Sequence, residues 1–113
     1  MVNRGAVILR YKASFIKWIV ETDPTEKKIE ITVDQANKER PVYLISDDDA
    51  ENVEHWLSEN HEYLFENELE GWYTDESLWP QKRDYKTFNE WFEVECHSML
   101  IDTVGGEIID DEV

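Results

Sequence analysis

Disulfide chemistry has almost nothing to work with in this chain: among 113 residues there is one cysteine, Cys96. A single thiol cannot build an intramolecular framework, which points to a reducing, cytoplasmic setting. Glycine is scarce too, at four residues, and none stands at the spacing of a phosphate-cradling loop, a nucleophile elbow or a dinucleotide fingerprint. No apolar run approaches the roughly 18 residues of a membrane span. The N-terminal stretch Gly5 to Leu9 ends at once in Arg10, Tyr11 and Lys12, too short for an export signal. Cations are the remaining shortage. Eleven Lys and Arg stand against 27 Asp and Glu, a formal charge of −16, which argues against direct binding to nucleic acid or an anionic membrane, since both are held through clustered basic residues.

What the chain does have is apolar and aromatic bulk. Hydrophobic residues make up 41% and five are Trp, which excludes the disordered class that the charge alone would suggest. The length and the lack of Gly/Ser or Pro-rich linkers predict one domain over residues 1–104, with a loose acidic tail over 105–113.

Ala6 to Leu9 is a short β-branched run suited to a strand buried on both faces. Ser14 offers a cap to a first helix carrying Phe15, Trp18 and Ile19, ended by Pro24. In the next segment Ile29, Ile31 and Val33 alternate like a strand, while Thr32 and Gln35 stand at capping-box spacing; a brief strand passing into a helical turn satisfies both. Pro41 opens a second strand, Val42 to Ile45. Ser46 and Asp49 then cap a long helix over about residues 48–69, ended by Gly71. Thr74 to Pro80 reads as a short capped turn. A last helix starts at Asp84 or Tyr85, with Phe88, Trp91, Phe92, Glu95 and Met99 on its inner stripe. The predicted fold is α+β: a small two- or three-stranded sheet with helices mainly on one face, in two layers.

The charge is unevenly spread. Residues 1–45 hold eight basic and six acidic groups, whereas residues 46–113 hold three and twenty-one. Residues 46–79 contain twelve acids and no Lys or Arg, so Glu51, Glu54, Glu59, Glu62, Glu66 and Glu70 lack local cations to neutralise them. Such a face keeps a small protein soluble, or it steers a basic partner. Lys82, Arg83 and Lys86 surround the start of the last helix, where they either pair with the acidic helix or join free N–H groups to hold an anion.

Reactive side chains are few. Glu93 and His97 are four apart on the expected last helix, but no His-x3-His, Cys-x2-Cys or His-Glu-x2-His spacing accompanies them, so no metal site is predicted. Asp47-Asp48-Asp49 lacks the remaining ligands of a calcium loop and reads as capping. Cys96 and His97, adjacent on a helix, would point about 100° apart and form no dyad; Cys96 is expected to pack beside Phe92. Glu95, in the middle of the apolar stripe, requires a partner such as Arg4, Arg10 or Lys12. No catalytic residue and no cofactor is assigned.

At Arg4-Gly5-Ala6-Val7, Phe15-x2-Trp18, Asp75-Glu76-Ser77-Leu78-Trp79-Pro80 and Phe88-x2-Trp91-Phe92-x-Val94-Glu95-x-His97-Ser98-Met99 the chain resembles a family of small acidic bacterial hypothetical proteins, over roughly residues 3–102. The resemblance implies a bacterial cytoplasmic protein and carries over no activity, cofactor or functional residue. The leading expectation is a non-enzymatic interaction or regulatory module whose acidic second half meets a basic protein. The alternative is a small-ligand or metal-binding protein with a pocket near the last helix, lined by Trp91, Glu95 and His97.

Overall fold

The first apolar run forms strand β1, Arg4–Tyr11, the central strand of a three-stranded antiparallel sheet of order β2-β1-β3. The computed structural model describes residues 2–25 and 29–107. Strand β2, Val42–Ser46, pairs with the first part of β1, with Ala6 opposite Leu44. Strand β3, Phe92–His97, pairs with the later part, from Ala6 opposite His97 to Tyr11 opposite Phe92. Where β2 no longer flanks β1, side chains replace it: Arg40 Nε donates to Leu9 O at 2.8 Å, and the Asn37 amide both accepts from Tyr11 N and donates to Tyr11 O. Backbone groups left without a strand are thereby satisfied.

Alternation along β1 divides the sheet into two faces. Val7, Leu9 and Tyr11 are buried on one, and the helices lie against it. They are α1 (Ala13–Thr22), α2 (Val33–Ala36), α3 (Asp47–Glu51), α4 (Val53–Glu70) and α5 (Tyr85–Trp91). The other face carries Ile8 and Arg10, with Val42 and Leu44 about half exposed beside them. This is the expected α+β arrangement with helices on one side. The core is aromatic. Phe15 stacks on Tyr11 with ring centroids 4.1 Å apart, and Phe65, Phe88 and Phe92 are fully buried around them. The segment after α4 is tied down by indole and phenol groups: Trp72 Nε1 donates to Tyr11 Oη, Trp79 Nε1 to Tyr73 O, Trp18 Nε1 to Leu78 O and Tyr73 Oη to Ile19 O.

Several local expectations change. Helix α1 starts one residue before Ser14, with Lys12 at its N-cap and no side-chain cap. Thr32 and Gln35 do form the capping box of α2, but Ile29 and Ile31 belong to no strand; residues 26–28 of that segment lie outside the described residues. The long helix is divided at Asn52, whose backbone (φ −134°, ψ 57°) leaves the helical region and separates α3 from α4. The largest correction is at the C-terminal end. The last helix stops at Trp91, and residues 92–97 form β3. Phe92, Val94 and Cys96 alternate with Glu93, Glu95 and His97, a period of two that pairing with β1 favours over helical continuation. Met99 is consequently exposed and not on an inner stripe. Residues 105–107 of the expected tail are exposed, and 108–113 lie outside the described residues. No described helix is long and apolar enough to cross a membrane.

Candidate functional site

Helix α4 places the acidic residues by its own periodicity. Glu59, Glu62, Glu66 and Glu70 follow one another at three- and four-residue steps and share one face. Glu54 is about 140° away around the helix from Glu59, beside Lys12 at another cavity, and Glu51 belongs to α3. The predicted patch of six is therefore a face of four. Among the described residues no Lys or Arg comes within ion-pair distance of these four; Glu59 has His55 as its neighbour, one turn away. Tyr63, 67% exposed, stands on the same side of the helix, and Glu66 and Glu70 join it, Glu76 and Trp79 in lining a groove of about 210 Å³. Lys82, Arg83 and Lys86 do not neutralise the face. Lys82 lies 3.8 Å from Asp84, and Arg83 Nη1 donates to Pro80 O while its buried Nε has no hydrogen-bond partner among the described residues.

The three residues expected in a pocket near the last helix are split between the two layers. Trp91 packs edge-on against Phe15 and beside Phe65 on the helical side. Glu95 and His97 project from β3 on the open face, where Glu95 Oε2 is 2.8 Å from His97 Nε2 and Glu95 Oε1 accepts from Arg10 Nε at 3.2 Å. The expected Arg10 partnership forms, but half in solvent instead of in the core, because the residue sits on a strand and not on a helical stripe. Hydrogen bonds from His97 and then Arg10 hold the Glu95 carboxyl below its ordinary range.

A cavity of about 340 Å³ does exist between α4, α5 and β3, lined by Lys12, Glu54, Tyr85, Asn89, Val94 and Cys96. Burial pushes the Cys96 thiol up, so the thiol form that it favours is a weak nucleophile. Cys96 and Phe92 share a strand face, four residues apart, where helical packing was expected. Among the described residues no group of three His, Cys, Asp or Glu side chains is positioned to hold a metal ion.

Two carboxylates are buried among the described residues: Asp23, which accepts from Thr25 and from Ile29 N, and Glu68, which joins three elements. The Glu68 side chain is 3% exposed and accepts from Tyr11 Oη (2.8 Å), Tyr43 Oη and Arg40 Nη2. The Arg40 guanidinium also lies over the Tyr11 ring, 3.9 Å from its centroid. Burial, together with the Glu68 charge and hydrogen bonding, raises both tyrosine pKa values well above the ordinary 10.0. Three protein donors satisfy the carboxylate, so the group reads as a structural lock between β1, β2 and α4. Its sequence signal was present: Glu68 follows Leu64 and Phe65 by four and three residues and precedes Leu69, at the heart of the apolar stripe.

No protein-family model, curated protein or solved structure significantly matches the chain.

Proposed function

We propose that this protein is a non-catalytic binding module that meets a basic protein through the Glu59, Glu62, Glu66 and Glu70 face of α4. The observation carrying the reading is that these four carboxylates share one exposed helix side without Lys or Arg partners among the described residues, next to an exposed tyrosine. Like charges at four-residue spacing cost helix stability, and an incoming cation relieves that cost while its association is electrostatically accelerated. Tyr63, exposed on the same side, adds a ring face to which a Lys or Arg side chain is attracted. The lone Cys96 and the resemblance to small bacterial proteins support a bacterial cytoplasmic setting.

The test is affinity capture from bacterial lysate, with every retained protein identified and re-bound in purified form. The wild type should hold a basic protein whose retention falls as salt shortens the Debye length from about 10 Å at 0.1 M to about 3 Å at 1 M, and the Glu62→Gln/Glu66→Gln/Glu70→Gln variant should lose it. Equal retention by that variant, or binding indifferent to salt, refutes the reading. The small-ligand alternative now has a cavity of different lining, with Cys96 in place of Glu95 and His97.

A further inference from the structure

Arg40 carries more donors than the Glu68 lock uses. Its side chain is 7% exposed; Nε donates to Leu9 O and Nη2 to Glu68, and Nη1 has no hydrogen-bond partner among the described residues. Buried donors are rarely left in that condition. Arg40 lines a cavity of about 380 Å³ beside the end of α4, together with Pro41, Asn67, Gly71 and Trp72, within the range of about 300–1,000 Å³ in which small-molecule sites fall. An acceptor accompanies the donor. Tyr43 Oη gives its proton to Glu68 and accepts from Asn67 Nδ2 at 2.8 Å, which turns the amide so that Asn67 Oδ1 is free. Gly71 adds a third observation. Its backbone is helical (φ −62°, ψ −21°), so the helix end makes no use of the conformations open to glycine alone, and a Cβ there would meet the Glu68 and Asn67 carbonyl oxygens no closer than 3.4 Å. Neither the turn nor the packing requires a residue without a side chain here. What the missing side chain leaves free is the cavity wall.

We infer that this cavity binds a neutral sugar, seated on Trp72 with its hydroxyl groups on Arg40 and Asn67. Charge narrows the choice first. Glu68 already balances Arg40, and Glu39 adds a carboxylate to the lining, so an anion meets net repulsion, while a cation meets the N–H groups of Arg40. A neutral ligand must then both accept and donate, which a hydroxyl does through one atom. Shape decides between a sugar and a flat aromatic base. Bases are held by stacking on exposed rings, and Tyr11, the other ring in the lining, has no face to offer: Phe15 is stacked on one side at 4.1 Å and the Arg40 guanidinium lies over the other at 3.9 Å. One indole remains, enough for the single apolar C–H face of a pyranose. Trp72 is fixed in place before any ligand arrives, since its Nε1 donates to Tyr11 Oη at 3.0 Å. Arg40 is fixed by Leu9 and Glu68, so little side-chain freedom is lost on binding. The site stands apart from the acidic face of α4: Glu39, and none of Glu59, Glu62, Glu66 and Glu70, lines this cavity.

The experiment is an NMR titration of the isotope-labelled full chain with glucose, galactose, mannose, xylose and N-acetylglucosamine, each to about 50 mM, well above the Kd of about 1 mM of a weak small-ligand site. At least one of them shifts the Trp72 indole, the Asn67 side-chain amide and the Arg40 Nε–H signals together and saturably. Absence of that response to all five overturns the proposal and leaves the cavity to water. Gly71→Leu fills the cavity from an exposed position with unstrained backbone and weakens the bound sugar at least about tenfold. Asn67→Ala, which removes the acceptor and leaves the Arg40 and Glu68 pair in place, weakens it at least about threefold. The Trp18 indole signal, which reports its bond to Leu78 O, shows that each variant is folded. Affinity unchanged in folded Gly71→Leu overturns the location. Glucose phosphate binding more tightly than every neutral sugar overturns the neutral reading, and adenosine binding more tightly than every sugar gives the cavity to a base instead.

Discussion

Tyr11 donates its phenolic proton to Glu68 across 2.8 Å, joining the central strand to the long helix at a carboxylate that solvent scarcely reaches. Arg40 completes the charge balance from the loop before β2. Removing one member of such a pair leaves the other charged and buried, which costs about 3–5 kcal/mol, whereas replacing both by apolar groups is often close to neutral. Glu68→Ala should therefore be strongly destabilised in urea unfolding. Glu68→Leu combined with Arg40→Met should be more stable than Glu68→Ala. A double variant as unstable as the sum of its single changes would contradict this account of the lock.

The same cluster sets the alkaline limit of the fold. Burial and Glu68 hold the Tyr11 and Tyr43 pKa values above the ordinary 10.0. Once pH exceeds the unfolded value, the unfolded chain releases tyrosine protons that the folded chain retains. Stability is thus fully present below about pH 10 and declines above it, by up to about 1.4 kcal/mol per pH unit for Tyr11 and less for Tyr43, which is more open to solvent. Tyr43→Phe should flatten that decline. Urea midpoints measured between about pH 8 and about pH 11 decide the matter, and a variant with the slope of the wild type would remove Tyr43 from the effect.

How far the sequence foretold this arrangement depends on whether local pattern and tertiary partner agreed. They agreed for Val42 to Ile45, an apolar run of strand type opened by proline, and for Thr32 with Gln35, whose capping box is wholly local. They disagreed at Phe92. There the helical spacing of Phe88, Trp91 and Phe92 runs directly into a strand alternation, and only pairing with β1 settles where one ends. That single boundary moved Glu95 from an apparent core stripe to a solvent-facing edge and turned Glu93 and His97 from helical neighbours into members of one strand face. Glu68 shows the opposite case. Its place in the stripe was visible, but Arg40, Tyr11 and Tyr43 come from distant segments, and no local rule assembles them. The acidic face was legible because α4 supplies it by periodicity alone; the break at Asn52, which detaches Glu51, was not.

At Gly5 the central strand runs close against helix α3. A Cβ at this position would collide with Ala50 Cβ on α3 and lie 3.3 Å from His97 O. Because the neighbours are a short side chain and backbone, neither can swing aside. Gly5→Ala should cost about 1–3 kcal/mol by overpacking, and Ala50→Gly added to it should recover part of that loss despite the poorer helix propensity of glycine. Thermal unfolding of the two variants tests the contact. Equal stability of Gly5→Ala and wild type would mean that α3 shifts freely from β1.

Stability and binding are expected to separate on the exposed face of α4. Glu62, Glu66 and Glu70 repel at four-residue spacing, and a lysine at 66 would exchange two repulsions for two attractions, worth about 0.3–0.5 kcal/mol each in an exposed helix. Glu66→Lys should therefore raise the unfolding midpoint slightly, with the gain shrinking as salt is added. The same substitution inverts a charge at the centre of the proposed contact and should weaken capture of the basic partner. A face kept acidic only for solubility would show the first effect without the second. Measuring both on one variant distinguishes the roles, because a stabler protein that binds less well cannot owe its lost binding to unfolding.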